Sequence, residues 1–241
     1  MKVSAQMTSP IGVAVDSSPA QAPQPITLRG RFVTLAPLNP EEHGDSLYEK
    51  SHGEERESLW RYLFDGPYPT RPAFDARLRQ MATSKDPLFF TILDHAAKAA
   101  VGYASYLRME PAHRCIEVGN ILFTPALQRT PGATEAMYLM ARHVFEDLGY
   151  RRYEWKCNSL NEPSRRAALR LGFTFEGIFR QHMIIKGRNR DTAWYALLDA
   201  EWPTRKAHFE KWLSPANFDG RGQQRESLAR MNGLLDSAPG S

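Results

Sequence analysis

The segment that most constrains the fold is an amphipathic helix that follows a loop containing proline and glycine. From residue 137 onward, apolar residues recur at the spacing of one buried stripe: Met137, Met140, Ala141, Val144, Phe145 and Leu148. Thr130 can cap the helix with Pro131 at its first position, and Gly149 is a natural C-terminal stop. The pattern predicts a helix with one face buried in the core.

The order of the other predicted elements gives the fold class. Strands are predicted at 31–38, 88–94, 100–109, 114–125 and 151–159, and two more flank "GRN", a hairpin turn at 187–189. Helices are predicted in "NPEEHGDSLYEKSH" (capped by Asn39), "ESLWRYL", "TRPAFDARLRQMATS", "NEPSRRAALRL" and "EWPTRKAHFEKWL". This order indicates one layered α/β domain, in which helices flank a mixed, mostly antiparallel sheet of six or seven strands.

Composition bounds the domain and its partners. Residues 1–25 are rich in Pro, Ser, Ala and Gln and are predicted to be disordered, the domain is placed at 26–213, and 214–241 are predicted to form a flexible tail. The absence of a signal peptide or an apolar run near eighteen residues favours a cytoplasmic protein with no membrane partner. A net charge of +4 suits an anionic small ligand but is too weak to indicate nucleic acid. We expect no metal site, and a monomer or homodimer.

Two stretches carry a family resemblance: "IEVGNILFTP" (116–125) and "ATEAMYLMARHVFEDLGYRRYEWKCNSLNEPSRRAALRLGFTFEG" (133–177). From Arg29 to about Trp202 the chain resembles the GCN5-related N-acetyltransferases (GNAT), and within them the ribosomal-protein alanine acetyltransferase-like branch. The resemblance implies acetyl-coenzyme A as cosubstrate. It also implies direct transfer of acetyl to a primary amine, on a small molecule or a protein N-terminus.

The family's diphosphate loop runs Gln/Arg-x-x-Gly-x-Gly/Ala, and this chain has "QRTPGA" (128–133), with Pro131 at the first glycine. We expect Gly132 and Ala133 to present free N–H groups at the positive end of the helix dipole, and Arg129 to replace the missing donor. A proline-initiated helix without a ligand is the alternative. The cofactor contacts that the resemblance implies are Gln128, Arg129, Thr130, Gly132, Ala133, Thr134 and Asn161, with an oxyanion donor near Leu122 or Phe123.

Glu117 is the candidate general base. Strand alternation places it on one face with Cys115, Gly119, Ile121 and Phe123, an otherwise apolar row that should disfavour the charged form of a carboxylate. The resemblance also implies a glutamate base at this strand position, acting directly or through water. The alternative is a glutamate at the solvated end of the face.

Ser164 is the candidate acid for the departing thiolate. The resemblance matches Asn161-x-x-Ser164, where the asparagine contacts the pantetheine arm and the serine reaches the sulfur. Asn and Ser are also ordinary residues of a helix's first turn, so a purely structural role stays open. Many relatives place a tyrosine acid where this chain has Ala168. Cys157 alternates with Tyr153 and Trp155, which favours a core position over a nucleophile.

The acceptor side is less well defined. Trp60, Tyr62 and Tyr68 are predicted to form an aromatic wall for the acceptor, and His182 to line the same cleft or to pack in the core. The basic run Lys186, Arg188 and Arg190 is most simply a solvated hairpin. We favour a small-molecule acceptor slightly. A binding module that has lost its chemistry is the alternative class, supported by Pro131 and the missing tyrosine and opposed by Glu117 and Ser164.

Overall fold

The computed structural model describes residues 11–234, which form one eight-stranded sheet flanked by helices. The strands are β1 (Leu28–Arg29), β2 (Val33–Pro37), β3 (Leu88–Asp94), β4 (Ala99–Glu110), β5 (Cys115–Phe123), β6 (Arg152–Asn158), β7 (Thr174–Ile185) and β8 (Arg188–Leu198). Their order is β1-β2-β3-β4-β5-β6-β8-β7, and every neighbouring pair is antiparallel except β5 and β6. The predicted mixed α/β layer is confirmed.

The helices are α1 (Pro40–Ser51), α2 (Arg71–Thr83), α3 (Pro131–Arg142), α4 (Glu162–Arg170), α5 (Trp202–Leu213) and α6 (Leu228–Met231). The predicted caps form: the Asn39 side chain accepts the Glu41 N–H at 3.0 Å, and the Thr130 side chain accepts the Ala133 N–H at 3.2 Å. Short 3-10 turns, including Glu54–Trp60, connect the regular elements. No helix among residues 11–234 is long and apolar enough to cross a membrane.

The sheet differs from its prediction in strand number and in one turn, and the helix predicted in "ESLWRYL" is instead the 3-10 helix Glu54–Trp60. The sheet has eight strands, and the one that the sequence did not predict is β1. Its two residues are too few to show an alternating pattern. The β7–β8 turn is Lys186-Gly187 rather than 187–189, because Asn189 pairs with Ile184 in the ladder. Both turn residues have positive φ, 50° and 70°, as a two-residue hairpin turn of the mirror-image type requires.

A buried carboxylate fixes the start of α3 against the sheet. Glu135 accepts the backbone N–H groups of Arg31, Phe32 and Val33 at 2.8, 2.6 and 2.9 Å. At Gly132, a Cβ atom would lie 2.9 Å from the Val33 side chain, so a larger residue could not approach β2 this closely. The N-terminus of α3 is therefore held in a defined position beside the sheet.

The segment after α5 packs on the domain, which corrects the predicted flexible tail for residues 214–234. Leu228 is fully buried in the main core, and Phe218 and Met231 pack against that core. The Trp212 indole N–H donates to Gln224 at 2.7 Å. These apolar residues are scattered among polar ones, so no periodic pattern revealed them. Residues 235–241 lie outside the described residues.

The N-terminal prediction is affected similarly. The Ala20 and Gln21 N–H groups donate to the carbonyls of Pro111 and Leu148 at 3.0 and 2.9 Å, so part of the predicted tail 1–25 contacts the domain. Residues 1–10 lie outside the described range.

Replacing Leu228 with alanine should lower the free energy of unfolding by about 2 to 5 kcal/mol, since the change leaves a cavity in the core. Leu160→Ala is the matched control, because Leu160 is 76% exposed and its truncation should change stability by less than about 0.5 kcal/mol. Urea unfolding of both variants measures the difference. Equal stability of the two variants would mean that the segment after α5 does not pack as described.

Candidate active site

The parallel strands β5 and β6 pair for only part of their length and then separate. Their pairing runs from Cys115 with Arg152 to Val118 with Trp155. Directly after it, β5 bulges against β4 at Asn120, whose φ is 50°. The Asn120 amide donates to the Ser105 hydroxyl at 2.9 Å, and that hydroxyl donates to the Gly119 carbonyl at 3.2 Å. This network stabilises the bulge at the point where the strands diverge.

A cleft of about 1120 Å³ lies at this separation. Its walls come from the diverging halves of β5 and β6, the N-terminal turns of α3 and α4, the segment 58–64 and the segment 222–224. Tyr62, from the segment 58–64, donates its hydroxyl to the Leu160 carbonyl at 3.0 Å. This bond joins the segment to the loop that precedes α4, so the cleft is bridged on one side.

The start of α3 lines the cleft, but not with the two free amides that the sequence predicted. The Ala133 N–H is already bound by the Thr130 side chain, whose hydroxyl donates to the Leu127 carbonyl at 2.7 Å. Gly132 packs against Val33 and does not line the cleft. The Ala133 N–H is occupied because Thr130 caps the helix, and Gly132 is turned to the sheet because it packs on β2. Gln128 and Arg129 line the cleft, and the Gln128 amide donates to the Phe123 carbonyl at 2.8 Å.

Arg170 is a lining residue that the sequence analysis missed. Its guanidinium donates to the Thr134 hydroxyl at 3.1 Å and lies 4.9 Å from the centroid of the Trp212 ring. No carboxylate among residues 11–234 lies within ion-pair distance of it or of Arg129. Arg170 comes from "RLG" at the end of α4, where an arginine is expected for the helix dipole alone. Two unpaired cations therefore line the cleft near the start of α3.

Glu117 lies in the cleft, but its surroundings are charged and not apolar. The side chain is buried, and its Oε2 lies 2.5 Å from Arg108 Nη1 and 3.0 Å from Lys156 Nζ. Lys156 also pairs with Glu154 at 2.7 Å and lies 3.8 Å from the centroid of the Trp194 ring. The predicted apolar row is therefore corrected, since cations from β4 and β6 contact the Glu117 carboxylate. Within residues 11–234, Oε1 has no hydrogen-bond partner and can accept one.

The sequence analysis could not place these cations. Arg108 adopts a left-handed conformation, with φ of 48°, just before β4 and β5 lose register, and Lys156 belongs to another strand. Strand alternation within β5 describes one strand only, so it could not anticipate charges supplied by β4 and β6.

Ser164 and Cys157 both line the cleft. The Trp155 indole N–H donates to the Ser164 hydroxyl oxygen at 3.0 Å, and the Ser164 hydroxyl in turn hydrogen-bonds the Cys157 sulfur. Asn161 accepts the Ser164 N–H at 3.3 Å and caps α4. Burial raises the pKa of the Cys157 thiol, which favours the neutral form and not a nucleophilic thiolate.

Of the four residues predicted on the acceptor side, only Tyr62 lines the cleft. Trp60 is fully buried and donates its indole N–H to the Ser51 carbonyl at 2.7 Å. Tyr68 packs edge-on against Trp60, with ring centroids 5.5 Å apart. His182 is exposed on β7 and shares a 2.9 Å hydrogen bond with Thr192. Trp60 and Tyr68 belong to the core under α1 and α2. Their aromatic character alone could not distinguish a core position from the wall of a cleft.

Arg190 also lines the cleft, although a solvated hairpin was predicted there. The other lining residues that the sequence analysis did not identify include Arg61, Phe64, Lys156, Trp212, Phe218, Gln223 and Gln224. Leu122 and Phe123, near which the oxyanion donor was predicted, line the cleft on the part of β5 beyond its pairing with β6. Among residues 11–234, no group of three or more His, Cys, Asp and Glu side chains is placed to hold a metal.

Comparison with known proteins places this geometry in a family. Residues 33–174, more than half of the chain, match the family model for the acetyltransferase (GNAT) domain. A GCN5-related N-acetyltransferase from Brucella melitensis has 47% sequence identity and a TM-score of 0.89, over 91% of this chain and 99% of that one.

Two further proteins are less similar. An uncharacterised N-acetyltransferase of Bacillus subtilis, YoaA, is 30% identical over 101 residues, which are 42% of this chain and 56% of that protein, so the match spans little more than half of its length. RimL, a ribosomal alpha-N-protein acetyltransferase solved with coenzyme A, shares the fold, with a TM-score of 0.61 and 18% identity over 72% of this chain and 98% of that one. The family match and the separated β5–β6 pair agree, and the chain belongs to the GNAT acetyltransferase family.

Proposed function

We propose that the protein transfers the acetyl group of acetyl-coenzyme A to a primary amine of a small molecule or a protein N-terminus. In this reaction the amine nitrogen bonds to the carbonyl carbon, the carbon–sulfur bond breaks, the amine loses a proton and the thiolate gains one. The observation that carries the proposal is the cleft between β5 and β6, which has unpaired cations near α3 and brings together Glu117 and Ser164. The coenzyme A complex of RimL supports the same cosubstrate.

The cleft near the start of α3 fits a diphosphate. Arg129 and Arg170 have no carboxylate partner among the described residues, and a helix N-terminus adds partial positive charge. Pro131 has no N–H, and the Ala133 N–H is bound by the Thr130 side chain. The two arginines therefore supply positive charge in place of these backbone donors. Acetyl-coenzyme A would supply the activated thioester. On the other wall, the Ser164 hydroxyl, which hydrogen-bonds the Cys157 sulfur, can donate its proton to the thiolate of coenzyme A instead.

Glu117 is the proposed general base. Arg108 and Lys156 hold its Oε2, so Oε1 is the oxygen without a hydrogen-bond partner among the described residues. We propose that Oε1 accepts the proton of the acceptor amine, directly or through water, before the nitrogen attacks the thioester.

The variant Arg170→Met should weaken coenzyme A binding about tenfold or more, since it removes a charge-assisted contact to phosphate but keeps an apolar chain beside Trp212. Pantetheine, which lacks the diphosphate, should bind the variant as it binds the wild type. Calorimetric titration with both ligands measures this. Arg79→Met, at an exposed position of α2, controls for the loss of one charge. Wild-type coenzyme A affinity in Arg170→Met would exclude Arg170 from the diphosphate site.

The variant Glu117→Gln should leave coenzyme A binding intact and lower the single-turnover rate by about a hundredfold to ten-thousandfold, the usual range for losing a general base. Glu154→Gln is the matched control, because Glu154 pairs with the same Lys156 but does not line the cleft. A base role predicts a large loss only at Glu117. Equal losses of rate in both variants would mean that Glu117 only positions Lys156. If the wild type binds coenzyme A without turnover, the alternative of a binding module that has lost its chemistry is favoured.

A further inference from the structure

We infer that Arg190 binds a carboxylate of the acceptor, so that the substrates are small amines that also carry a carboxylate. This inference rests on the proposed function and extends it from the reacting amine to the other end of the molecule. It starts from a buried cation for which the described part of the chain provides no counter-ion.

Arg190 lies near the start of β8 and is only 7% exposed. Its Nε donates to the Thr192 hydroxyl at 3.2 Å, and its guanidinium lies 5.2 Å from the centroid of the Phe64 ring. Neither terminal nitrogen has a hydrogen-bond partner within residues 11–234, and no carboxylate oxygen of those residues lies within 4.0 Å. Burying a charge without a partner is costly, and burial lowers the pKa of this guanidinium.

The cations that share the carboxylates of the β5–β6 region are already paired with them. Arg108 pairs with Glu117, Lys156 pairs with both Glu117 and Glu154, and Arg152 pairs with Glu154 and Glu176. Glu117 and the Cys157 thiol are the groups that act favourably on Arg190, while Arg108 opposes its charge. These carboxylates are therefore shared among other cations, and none of them lies within ion-pair distance of Arg190.

The position of Arg190 indicates the acceptor and not the cosubstrate. Its guanidinium packs on Phe64, from the segment 58–64, and the same hairpin is fixed to that segment by Lys186, which donates to the Trp60 carbonyl at 2.7 Å. The unpaired arginines near α3 are on other elements. A guanidinium offers two parallel N–H donors to a carboxylate and repels an ammonium, so it would orient an amino acid with its amine toward Glu117.

The test compares acceptors that differ only in the carboxylate. Proteinogenic amino acids, ω-amino acids of increasing length, the carboxamide of each, and C-terminally amidated peptides are assayed for thiol release from acetyl-coenzyme A. The acids and carboxamides are also titrated calorimetrically into the coenzyme A-saturated protein. At least one acid should exceed its carboxamide in kcat/KM and in affinity by on the order of tenfold to a hundredfold. In the Arg190→Gln variant, the acid and its carboxamide should agree in kcat/KM and in affinity within about twofold.

Arg188→Gln is the control, since it removes the same charge from an exposed position of the same strand and should keep the wild-type preference. A rise in Tm with coenzyme A shows that each variant is folded. If Arg190→Gln fails this check, Arg190→Lys replaces it, and its preference should still fall because an ammonium cannot bind a carboxylate through two parallel donors.

Three results would overturn the inference. Equal use of acids and carboxamides by the wild type, or an undiminished preference in the folded Arg190 variant, removes Arg190 from acceptor recognition and leaves the proposed acetyl transfer intact. Turnover of amidated peptides but of no amino acid would also remove Arg190 from acceptor recognition, and it would favour protein N-termini as acceptors. Absence of turnover with every amine removes both the inference and the proposed function.

Discussion

The separation of β5 from β6 after Val118 is the constraint on which the cleft depends. Parallel strands that stayed paired would leave no room between the first turns of α3 and α4. The bulge at Asn120, held by Ser105, turns β5 away from β6, and Glu135 fixes the start of α3 beside β2. A cleft, a helix N-terminus and a free stretch of strand therefore meet at one place because of a few polar contacts.

The charges around this separation connect the structure to its chemistry. Glu117 contacts two cations through one oxygen, and its other oxygen has no hydrogen-bond partner among the described residues, so it is available to an acceptor amine. Arg129 and Arg170 remain unpaired near the start of α3, and Arg190 remains unpaired beside Phe64. The described part of the chain thus offers cations for ligand anions in two regions of the same cleft, one for each substrate in the proposed reaction.

Local sequence rules predicted most of the scaffold. The caps at Asn39, Thr130 and Asn161 depend on neighbouring residues, and so they could be recognised from spacing. The family resemblance added the site and directed attention to the stretch around Glu117, which lines the cleft. The roles of the predicted site residues remain predictions.

The remaining features depend on contacts between distant segments. The pairing of Glu117 with Lys156 joins two strands, Trp60 and Tyr68 are core residues because of how α1 and α2 pack, and Arg190 is buried by a segment more than a hundred residues earlier. Alternation and composition describe one element at a time, so they could not distinguish a solvated arginine from a buried one.

The most direct test of the central claim is a crystal structure of the full chain with coenzyme A. We predict that the ligand lies between the separated halves of β5 and β6, with its diphosphate against Arg129 and Arg170 and its sulfur within hydrogen-bonding distance of the Ser164 hydroxyl. Coenzyme A bound elsewhere, or strands β5 and β6 paired beyond Val118 with the cleft closed, would contradict this account.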